Sequence, residues 1–139
     1  MPPCSSLADS RLPAIDQNTA MFHNRQVVND HYTRMAFGDE GARCAALLTD
    51  PKVKVMIMGN PGVLVIGDSV ADTFNRLYYF ERSAEPYIRA LQTGRPLRFL
   101  SEAVAEKTAR AWEDCPTGAD AHLSELKALL DAAGSNHAS

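Results

Sequence analysis

The most hydrophobic part of this chain lies at residues 53–66, where two apolar runs flank a short polar segment. The first run is Val53 to Met58 and the second is Val63 to Ile66, separated by Gly59-Asn60-Pro61-Gly62. Because only four residues join them, the two runs are predicted to pair as an antiparallel hairpin. The second run is apolar without alternation, which predicts burial on both faces and helices on both sides of the sheet.

A helical spacing follows the hairpin and predicts a long helix over residues 69–92. Its apolar residues recur at intervals averaging about 3.5 and define the predicted core stripe. The members of this stripe are Val70, Phe74, Leu77, Ala84, Ile88 and Leu91. Ser69 and Asp72 match the S-x-x-D form of a capping box. Two residues disturb the pattern, because Pro86 cannot donate a helical hydrogen bond and Glu81 is a carboxylate on the apolar stripe.

Weaker signals predict the elements on either side. Val27-Val28 indicates a short strand, and a helix is predicted to open at 38–40, with Asp39 as its cap. A helix capped by Ser101 is predicted to run to about Glu113, and leucines at helical spacing predict a last helix that Gly134 ends. The break at 114–118 divides the chain into a main unit over 1–113 and a C-terminal helix with a frayed tail over 114–139.

Composition and charge exclude several classes of partner. The chain has 139 residues, is 45% hydrophobic and carries a net charge of −3, which fits one globular domain and favours neither nucleic acid nor an anionic membrane. No apolar stretch is long enough to span a bilayer, and the first residues do not resemble a signal peptide. Three widely spaced cysteines without a CxxC motif favour a reduced, cytoplasmic setting.

Four segments, taken in chain order, resemble the class II aldolase/adducin domain family. They are LPAIDQNTA at 12–20, DEGAR at 39–43, MGNPGVLVIG at 58–67 with Ser69-Val70, and LYYFER at 77–82. The resemblance covers about residues 7–110. It implies an α/β fold with α/β/α layers around a mainly antiparallel sheet, incomplete at the N-terminus, and assembly into homo-oligomers. An incomplete sheet would expose an edge that pairs with other chains.

Enzymes of this family bind zinc or another divalent metal through three histidines. The resemblance implies that the metal would stabilise an enediolate during aldol cleavage, epimerisation or decarboxylation. Two of those histidines form a His-x-His pair upstream of the segment matching residues 7–20, and no His-x-His occurs in this chain. The third lies in an Asn-His-Gly or His-His-Gly turn, where this sequence has Asn60-Pro61-Gly62. Pro61 has no side-chain donor atom, so the resemblance implies a family member with neither a metal ligand set nor a cofactor of its own.

The four histidines are weak candidates for a metal site. His23 and His31 are eight residues apart and could approach each other on neighbouring elements, but two histidines without a third ligand make a poor zinc site. Packed or surface positions are therefore favoured for both. His122 and His137 lie outside the matched region and are expected to be solvated. No residue of the chain is assigned as catalytic, cofactor-binding or metal-binding.

Other polar and aromatic residues leave two interpretations open. Glu81 is either an acid with a raised pKa or, as we favour, a buried structural carboxylate with a partner. The same two interpretations, a functional or a structural role, are open for Asp16 and Gln17, and we favour turn-forming roles for both. The aromatic residues at 78, 79, 80 and 87 are too closely spaced to share one helix face. The surplus indicates either a subunit interface or ordinary core packing.

Two functions follow from these observations. The first is a catalytically impaired member of the family, whose role is subunit association. The second is a metal-dependent aldehyde-lyase acting on a sugar phosphate or a related hydroxy-carbonyl compound, with ligands supplied by other residues or by a partner chain. Whether the chain is an enzyme stays open on the sequence alone.

Overall fold

A computed structural model describes residues 3–31, 39–59, 62–115 and 117–136, with a three-stranded sheet and five α-helices among them. A single turn of 3₁₀ helix at Pro3–Ser6 precedes them. In chain order the elements are α1 (Gln17–Ala20), β1 (Gln26–Asn29), α2 (Asp39–Leu47), β2 (Val55–Met58), β3 (Gly62–Val65), α3 (Val70–Gln92), α4 (Glu102–Glu113) and α5 (Thr117–Ala132). None of the described helices is both long and apolar enough to cross a bilayer.

The sheet has the strand order β1-β2-β3 and contains one parallel and one antiparallel pair. β2 and β3 pair antiparallel with Met58 opposite Gly62, which confirms the predicted hairpin. Asn60 and Pro61, at its turn, lie outside the described residues. β1 runs parallel to β2 because the chain between them crosses over through α2. The α/β class is confirmed, and the sheet in the described part of the chain is mixed.

The register of the strands places a helix on each face of the sheet. Val28 pairs with Ile57, and both contribute to the cluster that packs against α3. Neighbouring residues of a strand point to opposite faces, so Asn29 faces the other way. Its side-chain amide donates to Glu40 of α2, at 3.0 Å, so α2 lies over that second face. This arrangement is the α/β/α layering that the resemblance implies.

The core lies between α3, the sheet and the segment that contains α1. Its largest fully buried side chains include Phe22 and Phe80, whose rings meet edge to face with centroids 5.1 Å apart. Leu12 packs in the same cluster and is anchored by Gln26, which exchanges two hydrogen bonds with its backbone, at 2.9 and 2.6 Å. The irregular N-terminal segment is therefore held to the core by both apolar burial and hydrogen bonds.

The predicted core stripe of α3 is wrong in its orientation. Of its six residues only Ala84 is buried, whereas Val70 is 80% exposed and Leu77 and Leu91 are 39% and 40% exposed. The buried face is made of Ala71, Asn75, Phe80, Ser83, Ala84 and Tyr87. The sheet takes the face carrying the large rings of Phe80 and Tyr87, and periodicity cannot decide which of two apolar faces that will be.

The ends of α3 follow the sequence closely. Ser69 is the N-cap, and its side chain accepts a hydrogen bond from the Asp72 N–H. The Asp72 carboxylate accepts from the Asp68 N–H, one residue before the position that a full capping box requires. The helix continues through Pro86, which lies on its exposed side. Just before the cap, a Cβ at Gly67 would lie 2.5 Å from the backbone nitrogen of Thr73, so the chain there needs glycine.

β3 does not have the two-sided burial that its sequence predicts. Val63, Leu64 and Val65 are only half-buried, although Val63 and Val65 pack against the core. Within the described residues β3 pairs with β2 alone, and its other edge has no partner strand. Among the described helices, α2 covers the second face of the sheet at β1, so that face of β3 is less covered than the pattern predicts.

The last two helices begin and end close to the predicted positions. Ser101 caps α4, and its hydroxyl accepts from the Val104 N–H. α4 ends at Glu113 and α5 begins at Thr117, so the predicted break is present. Gly134, with a φ of 67°, ends α5, as predicted. The division into units 1–113 and 114–139 stays a prediction.

Phe80→Ala is expected to destabilise the chain by about 3–5 kcal/mol, because it removes a ring with no exposed surface and leaves a cavity beside Phe22. Urea denaturation followed by circular dichroism measures the loss. Phe99→Ala is the matched control, since Phe99 is 59% exposed and its removal should cost less than about 1 kcal/mol. Equal losses for the two variants would show that Phe80 is not central to the core.

Candidate functional site

The first candidate site is the sheet edge that carries the hairpin turn. Because β1 and β2 are parallel, the end of β1 meets the turn after β2, and the Gly59 N–H donates to the Asn29 carbonyl, at 3.0 Å. His31 follows β1 at this edge and is exposed. The Glu40 carboxylate is buried beneath it, where Arg43 and Asn29 hold its pKa below the ordinary value. His31 is thus the described histidine nearest the turn that contains Pro61.

The structure does not bring His23 and His31 together. His23 precedes β1 and His31 follows it, so they lie at opposite ends of the same strand. His23 Nε2 lies 2.7 Å from the Glu102 carboxylate at the start of α4. His122 lies on α5, where its Nδ1 is 2.8 Å from Asn75 Oδ1. It is half-buried rather than solvated as expected, because the aromatic rings of α3 surround it.

The described residues do not fit a three-histidine metal centre. No three side chains of the metal-binding types His, Cys, Asp or Glu converge anywhere in the described ranges. Each of His23, His31 and His122 occupies a separate part of the fold, as described above. Pro61 and His137 lie outside the described residues, so the structure does not test the interpretation of either.

The second candidate site is a crevice of about 300 Å³ bounded by α3, α4 and α5. Lys54 and Asp68 line it, and they lie just before β2 and just after β3. These positions mark the open end of the hairpin, whereas Met58 and Gly62 pair at the other end. The crevice is therefore separated from the turn by the length of the strands, and its volume suits a small organic ligand.

Arg25 lines this crevice and connects it to α4. Its guanidinium is 3% exposed and donates to both oxygens of Glu113, at 2.9 and 3.0 Å, and to Glu106. Arg25, and then Arg110, lower the pKa of Glu106 to about 2. Arg25 likewise holds the pKa of Glu113 below its ordinary value. Hydrogen bonding to Glu113, more than any other contact, raises the pKa of Arg25 itself.

A second arginine lies in the crevice with part of its guanidinium unused. Arg76 Nε donates to Asp72, at 2.8 Å, and this is its only hydrogen bond to the described part of the chain. Burial would raise the pKa of Asp72, but the hydrogen bonds from Arg76 and from the Asp68 N–H outweigh it, and that pKa is lowered. The two terminal nitrogens of Arg76 therefore remain available as donors.

Aromatic rings form one wall of the crevice. The centroids of Tyr79 and Trp112 are 4.8 Å apart, with their planes inclined by 56°. The Trp112 indole donates to the Gln17 carbonyl, at 3.4 Å, which holds the ring in place. His122 contacts Tyr78, with centroids 4.6 Å apart. The closely spaced aromatic residues of α3 are thus divided between the crevice wall and the core.

Sequence reasoning did not identify this crevice. Arg25, Arg76 and Trp112 lie far apart in the chain, and none of them belongs to a recognised motif. The one local signal is the four-residue spacing between Asp72 and Arg76, which indicates an ion pair along one helix. The aromatic pair of Tyr79 and Trp112 has no such signal, because it joins two helices.

The remaining polar candidates have ordinary positions. Asp16 is the N-cap of α1 and exchanges hydrogen bonds with Thr19, which confirms the turn-forming interpretation. Gln17 is the exposed first residue of the same helix. Glu81 is half-buried in an open groove of about 620 Å³ along the outer face of α3, which Phe74, Tyr78 and Ile88 also line.

Comparison with known proteins identifies the family. The model of the class II aldolase and adducin N-terminal domain matches residues 3–88, which is more than half of the chain. The chain belongs to the class II aldolase and adducin family. No curated protein is significantly similar to it.

Solved structures show the same fold. An aldolase II superfamily protein from Pseudomonas syringae is 27% identical, with a TM-score of 0.81 over 94% of this chain and 52% of that one. The L-fuculose 1-phosphate aldolase from Glaciozyma antarctica PI12 is 20% identical, with a TM-score of 0.64 over 78% of this chain and 39% of that one. This family member therefore spans about half of the first structure and less of the second.

Acid is expected to destabilise this family member through Glu106. Its folded-state pKa of about 2 lies below the ordinary 4.5, so its stabilising effect is complete above pH 4.5 and lost as the pH falls toward 2. Glu106→Gln should flatten the fall in the free energy of unfolding over this interval, measured by urea denaturation at a series of pH values. Glu125→Gln, on the exposed side of α5, is the control and should leave the profile unchanged. Identical profiles for wild type and Glu106→Gln would contradict the assignment.

Proposed function

We propose that this chain is a catalytically impaired class II aldolase/adducin-family protein whose role is subunit association. The observation that carries the proposal is the apolar outer face of α3, where Val70, Leu77 and Leu91 are exposed beside the open groove. Exposed apolar side chains on one helix face, here interspersed with the charged Glu81 and Glu85 of the groove, favour an interaction site. The partner that we propose is another copy of the same chain.

The free edge of β3 supports the same role. Its residues Val63, Leu64 and Val65 carry none of the charges or prolines that commonly protect an edge strand. Within the described residues that edge has no partner. A strand from another subunit could pair there through backbone hydrogen bonds and cover the half-buried side chains.

We infer the impairment from the residues at the positions where the family has its metal-binding histidines. Pro61 occupies the place where the resemblance puts the family's third histidine, and a proline side chain has no atom that can bind a metal. The described histidines that could compensate lie in three separate parts of the fold. A catalytic zinc site normally requires three protein ligands that converge on one point.

A metal-dependent aldehyde-lyase is the second candidate function, and one observation favours it. His31 lies at the same sheet edge as the hairpin turn, because Gly59 is hydrogen-bonded to Asn29 just before it. One imidazole thus follows the strand whose end lies beside Gly59, the residue before the turn. Further ligands from another chain would be needed to complete a centre for a sugar phosphate or a related hydroxy-carbonyl substrate.

The purified chain is expected to form dimers or larger species at micromolar concentration, measured by light scattering after size exclusion. Leu77→Ser should shift the distribution toward monomer, because it removes apolar area from the outer face of α3. Leu47→Ser is the matched control, since Leu47 is similarly exposed, at 36% against 39%, but lies on α2. A monodisperse wild-type monomer would refute the proposed association.

Neither the chain nor Pro61→His is expected to retain stoichiometric zinc after dialysis against a chelator. Elemental analysis measures the metal, and retro-aldol assays with ketose and deoxyketose phosphates in added zinc, manganese or cobalt measure activity. One restored imidazole supplies one ligand of three, so Pro61→His should remain at the buffer rate. Retention of zinc by the wild type and its loss in His31→Ala would favour the lyase instead.

A further inference from the structure

The crevice between α3, α4 and α5 has no part in the proposed association, which uses the outer face of α3 and the edge of β3. Its floor is apolar, with Phe22, Ala109 and Ala119 all buried. One wall is the inclined pair of Tyr79 and Trp112. An apolar floor beside two aromatic faces favours a flat, ring-containing ligand, which gains both burial and aromatic contact.

The charged groups of the crevice differ in how far they are already paired. Glu113 is bound by Arg25 through both oxygens, and Asp72 accepts from Arg76 Nε. Asp68 and Asp120 are exposed at the rim, where solvent screens their charge. Two cationic groups remain inside the crevice. They are the terminal nitrogens of Arg76, whose side chain is 14% exposed, and the ammonium of the half-buried Lys54.

A guanidinium fork with two free nitrogens matches the two oxygens of a carboxylate or a phosphate. Lys54 lies close enough to Asp72 to help lower the pKa of that carboxyl, so its ammonium contributes to the same region. We propose that this crevice binds a small aromatic oxyanion, whose charged group pairs with Arg76 and Lys54 and whose ring lies against Tyr79 and Trp112.

Trp112 provides the measurement, because it is the only tryptophan of the chain. The purified chain is titrated with benzoate and phenyl phosphate, with neutral benzamide and cationic benzylamine as probes of matched size. Tryptophan emission and the backbone amide chemical shifts of Ala109 and Ala119 are followed. A saturable response is expected with at least one oxyanion, in the millimolar range for so small a ligand, and a weaker one with both controls. Whichever oxyanion binds more tightly identifies the carboxylate or the phosphate as the preferred group.

Arg76→Gln should weaken the binding of that oxyanion by at least about 10-fold, because hydrogen bonds to a charged group are lost. Arg76→Lys keeps the charge but not the two terminal nitrogens of the guanidinium. Its affinity for the oxyanion should lie between those of Arg76→Gln and the wild type. Arg89→Gln is the matched control, since Arg89 also pairs four residues back along α3, with Glu85, but lies outside the crevice. Its affinity should equal that of the wild type.

Three results would overturn the proposal: no saturable response to either oxyanion, equal affinity for benzamide or benzylamine, or unchanged affinity in Arg76→Gln. A change in circular dichroism distinguishes an unfolded variant from one that has lost only binding, and Arg76→Lys then serves as the test. None of these measurements depends on the oligomeric state or on metal, so a failure here leaves the proposed association untouched.

Discussion

The fold depends on one buried charge. The Arg25 carbonyl accepts from the N–H groups of Lys54 and Val55, at 2.8 and 3.1 Å, which sets β2 beside β1. Its guanidinium meanwhile binds two carboxylates of α4. One residue thus aligns the sheet with its backbone and positions a helix with its side chain. A buried guanidinium without partners is strongly unfavourable. Moving α4 away would leave Arg25 in that state, so the two ion pairs hold α4 in place.

Several other features follow from this constraint. With α4 held at Glu113, Trp112 is placed against Tyr79, and the crevice has its wall. His23 also contacts Glu102 at the start of the same helix, but Glu102 is 83% exposed, so this pair adds little stability. Interactions between distant segments therefore form the crevice. The His23–Glu102 and Arg25–Glu113 pairs join residues that are 79 and 88 positions apart in the sequence. Apart from the four-residue spacing of Asp72 and Arg76, no local pattern in the chain indicates the crevice.

The sequence predicts those features of the fold that depend only on residues close together in the chain. The hairpin, the capping of α3 by Ser69 and the end of α5 at Gly134 were all apparent in the sequence, since each depends on residues within one turn. The parallel pairing of β1 with β2 was not, because it depends on a crossover. The buried face of α3 was misassigned for a related reason: the helix has two apolar faces, and only the sheet selects between them.

The candidate site divides in the same way. The resemblance correctly indicates the family, whereas the surroundings of each described histidine depend on the fold. His122 is the clearest example, because its surroundings come from α3 and not from its own helix. The contacts of His122 depend on the packing of α5 on α3, which the sequence does not indicate.

The glycine before α3 has a mechanical consequence. At Gly67 the chain passes so close to Thr73 that a single added carbon would collide with its backbone nitrogen. The segment after the hairpin and the first turn of the helix therefore lie close together, and both the backbone nitrogen and Oγ1 of Thr73 would be 2.5 Å from an added Cβ. Close packing of this kind leaves little room for one segment to move without the other. Asp72 and Arg76 lie in the first two turns of α3, so their positions depend on this contact.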